Sequence, residues 1–163
     1  MEKDTGDSGP AVRWTLIGLL EEMRGHEVEA LNAYQKATTA GGKAFYPRYC
    51  AGLIQLHRND YNAAIENLNA ALQAGPPRED AIDIQKALGR SYLRSRQTDQ
   101  AKQTWSALAQ MAPDDVVTLQ ELTALLVDEE QWEEALIYYE KLRTLQKDRP
   151  YQAVLCTIAM GNV

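Results

Sequence analysis

One short phrase occurs four times in this chain at nearly constant intervals. "GHEVEALNAYQKA", "NDYNAAIENLNAAL", "QTDQAKQTWSALA" and "QWEEALIYYEKL" each set an alanine in the same context: Ala30, Ala64, Ala101 and Ala135. The intervals between them are 34, 37 and 34 residues. Four residues after each alanine stands a large side chain (Tyr34, Leu68, Trp105, Tyr139). Three residues further on comes a small or aliphatic one (Ala37, Ala71, Leu108, Leu142). Steps of four and three keep these residues on one face of an α-helix. A strand would need alternation by two, which none of these stretches shows. A period of this length marks stacked repeats, in which each unit covers an apolar stripe that its neighbour cannot bury alone.

A further helix is expected before each phrase. Its markers are Trp14, Ile17 and Gly18, then Ala51 and Gly52, then Leu88, Gly89 and Tyr92, then Leu119, Leu122, Thr123 and Leu126. Glycine inside a helix costs about 1 kcal/mol against alanine. Three glycines at equivalent places therefore point to a neighbouring helix pressed too close for a Cβ. The 37-residue interval puts three extra residues around "GPPRED", Gly75 to Asp80. Pro76 and Pro77 cannot continue the preceding helix. Either a longer loop or an early start of the next helix should take up the difference.

These phrases resemble the tetratricopeptide repeat. "WTLIG" (Trp14 to Gly18) is similar to the family's tryptophan-x-x-leucine-glycine opening, with Ile17 in the leucine's place, and "LGRSY" (Leu88 to Tyr92) matches leucine-glycine-x-x-tyrosine. The pattern of alanine followed by an aromatic four residues on is met in three repeats, and the closing proline by Pro76 and Pro113. The resemblance covers residues 11–147 and implies an all-α, right-handed superhelical solenoid of antiparallel helix pairs, about four TPR-like repeats plus one extra helix. Residues 1–10 form an acidic N-terminal segment expected to be disordered. Residues 148–163 have the spacing of the first helix of an incomplete fifth repeat.

The same resemblance implies a non-catalytic scaffold that binds a protein or peptide segment in a concave groove lined by the first helices. Regulation of an attached enzyme and homo-oligomeric scaffolding are the alternatives. The groove positions would be Thr15 and Leu19, Tyr46, Tyr49 and Leu53, Lys86, Arg90 and Arg94, and Gln120. Lys86, Arg90 and Arg94 recur every four residues and align on one helix face. They point to an acidic partner with an apolar anchor, unless they form a solvated face paired with Asp83 or Glu79. The chaperone-binding subclass clamps a C-terminal carboxylate with Lys, Asn and Arg. The matching places here hold Thr15, Leu19 and Cys50, so that ligand is not expected.

Composition narrows the partners. The 163 residues carry 17 Lys and Arg against 23 Asp and Glu, a formal charge of −6. Nucleic acid and anionic membranes both need a basic surface, so neither is expected. "MEKDTGDSGP" has no apolar core segment and does not read as a targeting peptide. A soluble, cytoplasmic protein is the simplest expectation. Cys50 and Cys156 stand far apart and suggest buried thiols rather than a disulfide framework or a metal site.

No glycine-rich phosphate loop, G-x-S-x-G elbow or H-E-x-x-H motif occurs. His26 and His57 stand alone at the ends of first helices, where exposure or capping explains them. No catalytic residue, metal or cofactor is expected. Trp14, Tyr34, Leu68, Tyr92, Trp105 and Tyr139 read as core, each contributing about 1.5–3 kcal/mol if fully buried. Tyr61 and Trp132 are expected to pack back on their partner helices. "YQAVLCTIAMGNV", after Pro150, carries no charge at all. Its Val154, Leu155, Ile158 and Met160 would face either a continuation of the chain or another copy, so self-association through this helix is an expectation.

Overall fold

The computed structural model describes residues 9–41 and 44–145. These residues form α-helices and no strand. The helices are α1 (Gly9–Met23), α2 (Glu27–Gly41), α3 (Phe45–His57), α4 (Tyr61–Gln73), α5 (Arg78–Arg94), α6 (Thr98–Met111), α7 (Val116–Asp128) and α8 (Trp132–Leu145). The first and second helices of each expected repeat are thus all present. Helix α1 starts at Gly9, two residues inside the segment expected to precede the repeats. The fifth helix expected at 148–163, with Val154, Leu155, Ile158 and Met160, lies outside the described residues.

Two compact units are present, Met1–Ala101 and Lys102–Val163, with the boundary inside α6. In the first, α1 packs on α2 and α3 on α4, while α2 and α4 also pack on the next first helices, α3 and α5. In the second, α7 packs on α8. The extra residues of the third repeat go into an early helix start. Helix α5 has 17 residues, against 13 in both α3 and α7, and begins directly after Pro77. Proline there loses nothing, because a helix leaves its first N–H groups without intrahelical partners.

All four first helices end in the same way. Gly25, Asn59, Arg96 and Glu130 have φ of 78°, 63°, 61° and 58°, and they recur at the same 34, 37 and 34 residue intervals. The next residue in each case, His26, Asp60, Gln97 or Gln131, donates its N–H to the carbonyl five residues back, at 2.8, 2.8, 2.9 and 2.8 Å. The left-handed residue donates to the carbonyl three residues back. This pair of bonds is a Schellman cap, which satisfies the carbonyls at a helix end and reverses the chain. The carbonyls of His26, Asp60, Gln97 and Gln131 then accept from Ala30, Ala64, Ala101 and Ala135. The repeated alanine thus makes the first backbone bond of each second helix. Gly25 and Asn59 are residue types that favour this conformation, whereas Arg96 and Glu130 carry no such local signal.

The repeated alanines are buried in every case, at 0–1% exposure. Two of the glycines explain the close helix pairs. A Cβ on Gly18 would lie 2.4 Å from the Tyr34 ring, and one on Gly52 would lie 2.7 Å from Leu68. Both neighbours are the large residue four positions after the repeat alanine. In the fourth repeat Thr123 takes the glycine's place. It is buried, and its hydroxyl donates to the Leu119 carbonyl at 2.6 Å, which satisfies the polar group within its own helix.

The expected aromatic core forms in part. Tyr34, Leu68 and Trp105 are fully buried, whereas Trp14, Tyr92 and Tyr139 are half-buried. The Lys36 ammonium lies 4.3 Å from the centre of the Trp14 ring, an attraction that an apolar cover would not supply. Tyr61 is half-buried and donates to Asn59. Trp132 departs from expectation: as the first residue of α8 it is 42% exposed, lying beyond the buried stripe that begins at Ala135.

Gly18→Ala and Gly52→Ala should each destabilise the fold by about 1–3 kcal/mol, because overpacking against a buried side chain outweighs the gain in helix propensity. Glu130→Gly should act in the opposite sense, by about 1 kcal/mol, by relieving a left-handed L-residue. Urea denaturation of the three variants checks both signs.

Candidate interaction surface

In the first unit α3 has the other two first helices, α1 and α5, as neighbours. Tyr46, Tyr49 and Leu53 recur at steps of three and four and share one face of α3. Tyr46 is 40% exposed, with its ring edge-on to Phe45 at 6.1 Å. Tyr49 and Leu53 are half-buried against a cluster that includes Leu68, Ile84 and Leu88. On α1, Leu19 packs against Tyr34, Cys50 and Ile54. Thr15 is half-buried and turns its hydroxyl onto the Ala11 carbonyl at 2.8 Å.

Helix α5 supplies the charge. Lys86 is half-buried, and its Nζ lies 4.0 Å from Asp83 one turn earlier. Internal pairing, one of the two readings of this cation, is therefore realised. Arg90 and Arg94 are exposed on the following turns. Gln120 is exposed on α7 and belongs to the second unit.

The tyrosines also have acidic neighbours that the sequence reading missed. Burial and the charge of Asp83 push the Tyr49 hydroxyl above its ordinary range. The Cys50 thiol, burial, and the charges of Glu22 and Asp80 do the same for Tyr46. Asp80, Asp83 and Lys86 follow one another at steps of three, so their common helix face was legible. Their approach to the tyrosines depends on α5 lying beside α3. The surface is therefore aromatic and acidic at the start of α5 and basic towards its end.

Beneath it runs a short polar connection. The Tyr34 hydroxyl donates to Glu22 at 2.6 Å, and both Tyr34 and Tyr46 hydroxyls interact with the Cys50 thiol. Burial is the main reason the Cys50 thiol is pushed up to about 11. At neutral pH it is a packed, protonated thiol, as expected of a buried cysteine. The histidines behave as local surface groups. His26 Nδ1 lies 2.8 Å from Glu21, and His57 Nδ1 lies 3.2 Å from Glu27. The hydrogen bond from His26, helped by Arg24, holds the Glu21 carboxyl below its ordinary range.

Two polar clefts lie elsewhere. One, of about 440 Å³, runs between α2 and α4 over the opposite face of α3, and its lining includes Gln35, Arg48, Glu66 and Asn67. The other, of about 520 Å³, surrounds Trp132, where Lys102 reaches Gln131 and lies 3.6 Å from Glu134. Among the described residues, no group of three His, Cys, Asp or Glu side chains could hold a metal ion. No helix among them is long and apolar enough to cross a membrane.

The stack of paired helices finds close parallels among solved structures. YrrB, described as a TPR protein with an unusual peptide-binding site, superposes with a TM-score of 0.77 at 19% identity, over 98% of this chain and 81% of YrrB. This chain has the tetratricopeptide-repeat fold. MamA aligns with a TM-score of 0.77 at 16% identity, over 91% of this chain and 85% of MamA. The first TPR domain of Spaghetti (RPAP3), bound to the HSP90 peptide SRMEEVD, aligns with a TM-score of 0.66 at 15% identity, over 76% and 98%. No protein-family profile matches the sequence, and no curated protein does. Within the tetratricopeptide-repeat fold seen here, the first-helix face of unit one keeps Tyr46 exposed, with Tyr49 and Leu53 beside it.

Cys50 should resist iodoacetamide in the native protein at pH 7.5 and react fully in denaturant. Mass spectrometry of the peptide that contains it reads both states. Rapid native labelling would mean that the thiol is open to solvent.

Proposed function

We propose that this chain is a non-catalytic protein-interaction module, and that the first-helix face of its first unit binds a segment of a partner protein. The observation that carries this reading is Tyr46. It is a large aromatic, 40% exposed, next to half-buried Tyr49 and Leu53, and such partly exposed tyrosines supply contact area at little entropic cost. YrrB and the RPAP3 domain, which share the fold, carry a peptide-binding site and a bound peptide respectively, and this lends support by analogy of fold.

The partner segment places an apolar or aromatic side chain on Tyr46 and Tyr49. It directs an acidic group toward Arg90 and Arg94, where a guanidinium forms charge-assisted hydrogen bonds with a carboxylate. Asp80 and Asp83, at the other end of the same stretch, favour a basic residue and so set the direction of the segment. Thr15 and Leu19 border the face on α1. Opposite charges at the two ends act mainly on specificity and association rate.

Selection from a displayed library of random dodecapeptides tests this. Bound peptides should carry an aromatic or aliphatic anchor with an acidic residue to one side. Tyr46→Ala should weaken them about thirtyfold, the effect of losing about 2 kcal/mol at an anchor. Arg90→Glu/Arg94→Glu should remove the acidic preference. Selected peptides that bind all variants equally would place the site elsewhere.

A further inference from the structure

Equivalent positions of the first helices meet different surroundings. On α3, Cys50, Ala51 and Ile54 are 6%, 7% and 5% exposed, clustered with Ala30 and Tyr34 of the preceding second helix, α2. On α5, the positions 37 residues later are Ala87, Leu88 and Ser91, at 5%, 5% and 0%. Ala87 and Leu88 cluster with Ala64, Leu68 and Ala71 of α4. On α1, the positions 34 residues before those of α3 are Leu16, Ile17 and Leu20. They are at least as large and as apolar as their counterparts, yet 54%, 39% and 52% exposed. The α1 face opposite Gly18 thus has the chemistry of a covered helix interface and no described helix upon it.

We infer that this α1 face docks an amphipathic helix of another protein, seated as α2 sits on α3. The two coverings already present define that helix. Ala30 and Tyr34 of α2, and Ala64, Leu68 and Ala71 of α4, give an alanine-rich face around one large residue, which allows close approach. Arg13 adds a charge requirement. It is exposed and lies on the same face, one turn before Ile17, where α3 has buried Pro47. The docked helix therefore carries an Asp or Glu opposite Arg13. This surface is separate from Tyr46 and Tyr49, and its occupant adds a layer to the stack instead of lying along the first helices. A contiguous apolar patch of this kind is characteristic of an interaction site.

The probe is a fluorescent peptide of residues 27–41, the α2 sequence, held helical by a cross-link between positions 28 and 32. Titration with the whole chain should give saturable binding. Leu16→Glu/Leu20→Glu should weaken it at least tenfold while leaving the circular dichroism spectrum unchanged, and Tyr46→Ala should leave it unaltered. Hydrogen exchange should report protection of the α1 amides when the peptide binds. Absence of saturable binding, or equal binding to the Leu16→Glu/Leu20→Glu variant, overturns the inference. So does a concentration-dependent dimer of the chain alone that Leu16→Glu/Leu20→Glu abolishes, because the face would then belong to a second copy. Dodecapeptide binding that depends on Tyr46 would survive each of these outcomes, so the two surfaces fail or stand independently.

Discussion

The closeness of paired helices is the constraint on which the rest of the first unit depends. A Cβ added at Gly18 or Gly52 would fall within 2.4 or 2.7 Å of a buried side chain. Missing side-chain volume on the first helix is filled by a large residue on the second, Tyr34 or Leu68. Each of these large residues also belongs to the cluster shared with the following first helix. One residue thus joins a pair internally and links it to the next. Close packing of this kind transmits a size change directly, because interiors have few voids to absorb it.

A second constraint sets the direction of the chain. Four left-handed caps, at Gly25, Asn59, Arg96 and Glu130, turn each first helix into its second. The geometry is the same whether or not glycine is present. Tertiary contacts on both sides of the turn therefore outweigh the cost of about 1–2 kcal/mol that an L-residue meets there. The reversal places the repeat alanine at a fixed distance from the cap, which keeps the stripe in register from repeat to repeat.

The proposed sites follow from what this packing leaves uncovered. Sequence pointed to Tyr46, Tyr49 and Leu53 because they share a helix face off the core stripe, and the structure places them together. It pointed to Lys86, Arg90 and Arg94 as a basic row. It could not show that Lys86 leans on Asp83, or that Asp80 and Asp83 approach the tyrosines, because those relations arise between helices. Trp14 holds a core place in the repeat pattern, and Trp132 the place of a side chain that packs back on its partner helix. Trp14 is half-buried beneath Lys36, and Trp132 is 42% exposed at the first position of α8; periodicity encodes neither.

What the sequence determined by itself was the helical class, the four-fold phrase, its 34–37 residue period and the identity of the stripe residues. These are local properties, written in steps of three and four and in glycine placed inside helices. Tertiary structure alone decided the cap geometry at Arg96 and Glu130, the absorption of three extra residues as an early turn of α5, and the acidic surroundings of Tyr46 and Tyr49. It also decided that Leu16, Ile17 and Leu20 stay open while their counterparts on α3 and α5 are covered. The physical reason is that periodicity fixes which side of a helix is apolar, whereas the neighbour that covers it is set by how the helices pack.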